Sequence, residues 1–195
     1  MAQVLTTKRL TVRRAESSDA GFVESLWTMP AVMRLVGFPE GIALSADEVR
    51  RTIESGQSTV LGSILIVSLS KQGQIIGQAK VGAPDAEGIS EPDIKLHPEY
   101  WGCGYGKELW PALIDYAFKY SSADIVQGTP NRDNTASVRM QIGAGMVQVD
   151  EGVFPAAKHL HPEAVPVPYL KLHMTRRQWQ SRHQIEFTPQ EEDVP

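Results

Sequence analysis

Three glycines at alternate positions, Gly102, Gly104 and Gly106, stand between a short strand-like run, Ile94-Lys95-Leu96, and a stretch with a helical apolar face. Glycine has no Cβ, so the backbone there can take positive φ and let a ligand come close. The helix that follows begins with N–H groups lacking an intrahelical acceptor and carries a partial positive charge at that end. Strand, glycine turn and helix in this order form a cradle that phosphate can enter, although a glycine-rich strand-to-helix turn with no ligand is at least as common, and the alternation of strands and helices along the chain reads as mixed α/β. Two familiar phosphate loops do not fit. Counted from Gly102, the last position of the dinucleotide pattern G-x-G-x-x-G is Lys107. In the Walker A register, Trp101 replaces the first glycine and Glu108 the magnesium-binding hydroxyl.

The run His97-Pro98-Glu99-Tyr100-Trp101-Gly102-Cys103-Gly104-Tyr105-Gly106-Lys107-Glu108-Leu109 instead resembles the acyl-CoA pyrophosphate loop of the GNAT superfamily of N-acetyltransferases. It is most similar to the RimJ/RimL-like branch, whose members often read H-P-x-x-W-G-x-G-Y-[AG]-x-E-[AL]. Thr7-Lys8-Arg9-Leu10-Thr11-Val12-Arg13 resembles the branch's opening strand, and Pro30 to Gly37 its P-x-V-M-R-x-x-G turn. Asn134-Thr135-Ala136-Ser137 followed by Gly145-Met146 is similar to its N-x-x-S and G-F, and Tyr169 to Trp179 to its closing segment.

The resemblance implies a central, mostly antiparallel sheet of six or seven strands with a splayed parallel pair, flanked by helices. It implies acetyl-CoA as co-substrate, no metal, and transfer of an acetyl group to an amine, either a protein N-terminus or a small molecule. The CoA phosphates would meet Gly102, Cys103, Gly104, Tyr105, Gly106 and Lys107. The strand Pro92 to His97 would pair with pantetheine through Ile94 and Leu96. Glu91 occupies the place of the branch's strand glutamate and is the candidate base. Asp93, two residues on, shares its face and is placed with the substrate. Many superfamily members carry a tyrosine four residues after the position of Ser137, where this chain has Gln141. The branch implicates the serine instead, so Ser137 is the candidate beside the CoA sulfur and Asn134 a pantetheine ligand. Met33, Leu35, Phe38 and Pro39, with the loop Val153 to Val165, would select the acceptor. A binding module that has lost catalysis is the alternative reading, and the resemblance leaves room for a homodimer.

Composition bounds the remaining classes. The chain has 195 residues, 42% of them hydrophobic, enough for one well-buried core, expected over residues 1–180. A formal charge of −4 argues against nucleic acid as a partner. With no long apolar run and no leader-like start, a cytoplasmic, membrane-free protein is expected. Cys103 is the single cysteine, so no internal disulfide can form, and no histidine or acid is placed beside it to make a nucleophile. His159, His161 and His173 lack the spacing and the cysteines of a zinc site.

Periodicity predicts strands at Leu10–Val12, Ile64–Leu69, Gln74–Val81, Asp124–Gln127 and Met146–Val149. Helices are expected behind Ser17-Ser18-Asp19, from the capping box Ser45-Ala46-Asp47-Glu48, after the glycine loop, and over Asp133–Ile142. Pro111 should loosen or kink the long helix. Val153 to Val165 reads as irregular, and 181–195 as a mobile acidic tail.

Overall fold

The computed structural model describes residues 3–56 and 59–183. Strands β1 (Gln3–Thr6) and β2 (Leu10–Arg14) lead into α1 (Ala20–Trp27), α2 (Pro30–Met33) and α3 (Ala46–Ser55). The expected capping box starts α3: the Glu48 amide donates to Ser45 Oγ, and Glu48 accepts from the Ser45 amide at 2.8 Å. Strands β3 (Leu65–Leu69) and β4 (Ile75–Val81) form the expected hairpin, followed by β5 (Ile89–Ser90) and β6 (Pro92–Leu96). Then come α4 (Tyr105–Tyr120), β7 (Ile125–Gly128), α5 (Thr135–Gly143), β8 (Val147–Phe154), β9 (Val167–Thr175) and α6 (Arg176–Arg182).

The strands form two sheets, in the orders β1-β2-β3-β4-β6 and β5-β7-β9-β8. Every neighbouring pair is antiparallel except β5 and β7. The chain from Ile89 to Leu96 therefore serves both sheets. Ile89 and Ser90 pair in parallel with Ile125 and Val126, whereas Pro92 to Leu96 pair only with β4. The switch falls at Glu91, just before Pro92, which has no N–H to give a second ladder. This is the splay the resemblance implied, and it opens a gap between β6 and β7.

The strands anticipated from the sequence correspond to β2, β3, β4, β6, β7, β8 and β9. Two short ones, β1 and β5, were not anticipated, because four and two residues are too few to show a period. Strand β8 runs on to Phe154, past the expected end at Val149, because its whole length pairs with β9. Asp150-Glu151-Gly152 hides this by interrupting the apolar alternation.

Helix α4 packs Leu109, Leu113 and Ala117 against Leu10, Val12, Ile76 and Val81, all fully buried. Each large side chain buried this way contributes about 1.5–3 kcal/mol. The helix is continuous through Pro111. The residue lacks the N–H that the Lys107 carbonyl would otherwise receive, and the packing of the rest of the helix carries it through that point. Trp179 anchors α6 by donating its indole N–H to Asp115 Oδ1 at 2.7 Å. Arg182 reaches the Ala144 carbonyl at 2.7 Å, so ordered helix passes the expected boundary at residue 180. Residues 184–195, which hold the expected acidic tail, lie outside the described residues.

Candidate functional site

The glycine loop and the start of α4 present a row of backbone amides. Gly102 and Gly104 have φ of 74° and 79°, a region that side chains rarely adopt, and Gly104 is the residue preceding the helix. The Glu108 amide donates to the Gly104 carbonyl at 3.2 Å. Among the described residues the amides from Gly102 to Lys107 have no backbone acceptor, as expected of a loop entering a helix. Gly106 answers a different need: a Cβ there would lie 2.9 Å from Met140 Sδ, so the glycine lets α5 come close to α4.

The loop is braced from the opening strands. Glu108 accepts from Thr7 Oγ1 at 2.5 Å, the Arg9 amide at 2.7 Å and Arg9 Nε at 2.6 Å. Arg9 also donates to the Cys103 carbonyl at 3.0 Å and lies 4.5 Å over the Tyr105 ring. Burial by itself would raise the Glu108 carboxyl, but the bonds from Thr7 and Arg9 outweigh it and hold the group below the usual carboxylate range. A depressed folded value means that the carboxylate stabilises the fold above its unfolded value of about 4.3 and loses that effect as pH falls through the lower folded value. Glu108→Gln cannot titrate. Its melting temperature should fall below wild type above about pH 5, with the gap closing below about pH 4. A gap that is constant across a pH series of melting curves would show that the charge is not involved.

Strand β6 is the edge of its sheet. The His97 amide donates to the Ile76 carbonyl at 2.9 Å, and residues 93 and 95 stand in the same phase of the ladder opposite Lys80 and Gln78. In an antiparallel ladder the alternate residues Ile94 and Leu96 then turn their backbone groups away from β4, toward the gap. The Leu96 carbonyl is taken by the Trp101 indole N–H at 2.7 Å. That leaves the Leu96 amide and both Ile94 groups at the open edge.

The gap widens into a cleft of about 340 Å³. Its walls bring together Asp93 and Ile94 of β6, Trp110 of α4, Asn134, Ser137, Met140 and Gln141 at α5, Leu35 to Phe38, and the segment after β8. An adjoining basin of about 480 Å³ shares Pro92, Asp93 and Thr129 with it and adds Asp85, Glu91 and Gln127. Of the sequence candidates, the cleft gathers Leu35, Phe38, Asp93, Ile94, Asn134 and Ser137, and Glu91 lines the adjoining basin, while Leu96 and the loop from Gly102 to Lys107 line neither. Met33 is 3% exposed and packs with Phe38 and Ala164 in a small core, so it supports the acceptor wall and does not line the cleft. Pro39 is not among the lining residues. Asn134 spends its Oδ1 on the Ser137 amide at 3.1 Å, capping α5. Asp93 is ion-paired with Lys95. Glu91 lies in the adjoining basin, where Gln127 Nε2 donates to it.

Three side chains at the site, Gln127, His173 and Gln141, were not among the site residues expected from the sequence. Gln127 joins Glu91 to His173, whose Nε2 lies 2.7 Å from Gln127 Oε1. Because the Gln127 amide gives its hydrogens to Glu91, its oxygen must accept, so His173 carries a proton on Nε2. Burial, assisted by Lys171 and opposed by Glu91, pushes the His173 imidazole below its ordinary value. Gln141 is the third: it is buried, and its Nε2 donates to Ser137 Oγ at 3.3 Å. Gln127 and His173 meet only through the β7–β9 pairing, which no spacing in the sequence discloses. Among the described residues, no three His, Cys, Asp or Glu side chains converge as metal ligands.

Residues 9–147 match the acetyltransferase (GNAT) domain family. An uncharacterized N-acetyltransferase p20 from Bacillus licheniformis is 24% identical over 140 residues, covering 71% of this chain and 79% of the relative. Among solved structures, an acetyltransferase of the GNAT family from Bacillus anthracis superposes with a TM-score of 0.70 at 21% identity, covering 89% of this chain and 98% of that one. The spermidine N-acetyltransferase from Vibrio cholerae, solved with CoA and spermine, gives 0.73 at 18% identity over 88% and 98% of the two chains.

Proposed function

Because the chain belongs to the GNAT acetyltransferases, we propose that it moves the acetyl group of acetyl-CoA to a primary amine by direct attack in a ternary complex, as the RimJ/RimL-like branch does. The observation that carries this reading is the free edge of β6, which leads along the chain into the row of amides from Gly102 to Lys107 and whose Ile94 lines the same cleft as Ser137. Pyrophosphate would take the amides, and pantetheine would complete the β6 edge at Ile94 and Leu96. The thioester would then lie near Ser137. The acceptor, a protein N-terminus or a small amine, would approach between Leu35–Phe38 and the segment following β8.

The reaction needs little from side chains. Holding the two substrates together contributes about 7–11 kcal/mol of barrier reduction. The amine nitrogen bonds to the thioester carbon, the C–S bond breaks with its electron pair on sulfur, and the ammonium proton leaves toward Glu91 directly or through water. A backbone amide of β6 stabilises the oxyanion, and Ser137 donates a hydrogen bond to the departing thiolate. One cysteine and no disulfide suit a cytoplasmic setting.

Incubation with acetyl-CoA and a mixed panel of peptides and small amines, reading free thiol, tests the proposal. Tight CoA binding with no thiol release above the hydrolysis background would favour a binding module instead. Cys103 is exposed, and the sequence places no histidine beside it to generate a thiolate, so direct transfer does without it as an acetyl carrier. Cys103→Ala should keep most of the turnover, with sequential kinetics. Ping-pong kinetics together with an acetyl group trapped on that sulfur by mass spectrometry would overturn direct transfer.

A further inference from the structure

Among the described residues, one buried side-chain polar atom has no hydrogen-bond partner, Gln141 Oε1. Burying an amide oxygen without a donor destabilises a folded chain, and methionine or leucine would fill the same space without that penalty. Gln141 is only 4% exposed, so solvent does not relieve it. Its other amide atom is engaged, since Nε2 donates to Ser137 Oγ, one turn earlier on the same helix.

That bond determines where the serine hydrogen can go. A hydroxyl has two lone pairs and one hydrogen. Helical serines commonly return the hydrogen to a carbonyl of the preceding turn, but the only partner of Ser137 Oγ among the described residues is Gln141. With one lone pair taken by the Gln141 N–H, the hydrogen is directed elsewhere, and Ser137 lines the cleft. The far side of the amide rests on β7 at Gly128. A Cβ at that position would fall 1.8 Å from Gln141 Oε1, so the glycine is what allows the amide to sit there.

We propose that Gln141 is a positioning residue: it holds Ser137 Oγ as an acceptor, so that the serine hydrogen is presented to the departing thiolate of CoA. The proposal rests on the acetyl-transfer reading and on the place of Ser137 in it. No proton need leave the serine. The C–S electron pair goes to sulfur, the Ser137 hydrogen bond stabilises it, and solvent supplies the proton that completes the thiol.

The test uses the full chain, acetyl-CoA and the panel amine that releases most thiol. Gln141→Met should keep or raise the melting temperature while lowering kcat about tenfold or more, with little change in KM for acetyl-CoA. A residue that served structure alone would not move stability and turnover in opposite directions. Adding Gln141→Met to Ser137→Ala should cause no further loss, because the amide acts only through the serine. Gln141→Glu supplies a carboxylate that accepts the serine hydrogen, so its kcat relative to wild type should fall as pH rises and the carboxyl ionises. Should Gln141→Met fold poorly, Gly128→Ala displaces the same amide and should lower kcat similarly.

Wild-type kcat in Gln141→Met beside an impaired Ser137→Ala would overturn the role of Gln141 and leave that of Ser137 standing. Full activity in Ser137→Ala would remove both. A Gln141→Glu kcat that tracks wild type across the whole pH range, including where the carboxyl is ionised, would show that a serine donating to residue 141 still supports turnover, which also overturns the proposal.

Discussion

Gly104→Val is expected to leave the chain folded and to weaken acetyl-CoA binding by about 100-fold or more. Among the described residues, the only neighbour within 4 Å of an added Cβ, chain neighbours aside, is Arg9 Nη2 at 3.5 Å, an ordinary contact. The damage falls elsewhere. Gly104 holds φ of 79°, which valine adopts only with strain of about 1–3 kcal/mol. Relaxing that strain turns the amides of the loop away from one another and puts a methyl-bearing carbon where phosphate must approach. Gly73 is the control: it has φ of 67°, nothing among the described residues stands within 4 Å of its added Cβ, and it lies in the turn between β3 and β4. Gly73→Val carries similar strain, and calorimetry should show its acetyl-CoA affinity unchanged. A folded Gly104→Val protein that binds as tightly as Gly73→Val would refute the phosphate-loop assignment.

Ser137→Ala and Glu91→Gln are each expected to lower turnover by about 100-fold while changing acetyl-CoA binding little, because both act on charge that appears only as the reaction proceeds. Ser137→Ala removes a hydroxyl that lines the cleft at the head of α5. Glu91→Gln keeps shape and can still meet Gln127, but it no longer accepts a proton. The pair is informative as a contrast. Loss of the thiolate partner should matter more when the leaving group is poor, while loss of the base should matter more at low pH, where the amine holds its proton. Wild-type turnover in Glu91→Gln would transfer the base role to Asp93 or to water.

The glycine loop and the elements around it were readable because their causes are local. Gly104 needs positive φ and a helix must begin after it, and both requirements are written within six consecutive residues. The capping box at Ser45 and Glu48 is equally short-range. Ile94 and Leu96 were named from their position in the resemblance, whereas the phase that turns their backbone groups to the open edge comes from the pairing of β6 with β4. Reading failed where a residue takes its role from a distant partner. Met33 looked like a cleft residue by position, yet contact with Phe38 and Ala164 buries it. Gln141 looked like a missing acid. Its bond to Ser137 and its seat on Gly128 give it a part that residue type alone does not express.

By itself, then, the sequence determined the GNAT family, the mixed α/β order of elements, and a glycine turn that leads into a helix. These depend on backbone conformation and spacing over a few residues, which side-chain type controls directly. Only the tertiary structure decided that Arg9 and Thr7 brace Glu108 from 99 and 101 residues away, and that Glu91, Gln127 and His173 form one chain of contacts. It also decided that β6 parts from β7 at Glu91 to open the cleft. Such relations arise when sheets close and helices pack on them, because that is the step that brings chemically complementary groups from separate segments within 3 Å of one another. A one-dimensional pattern carries no term for that distance.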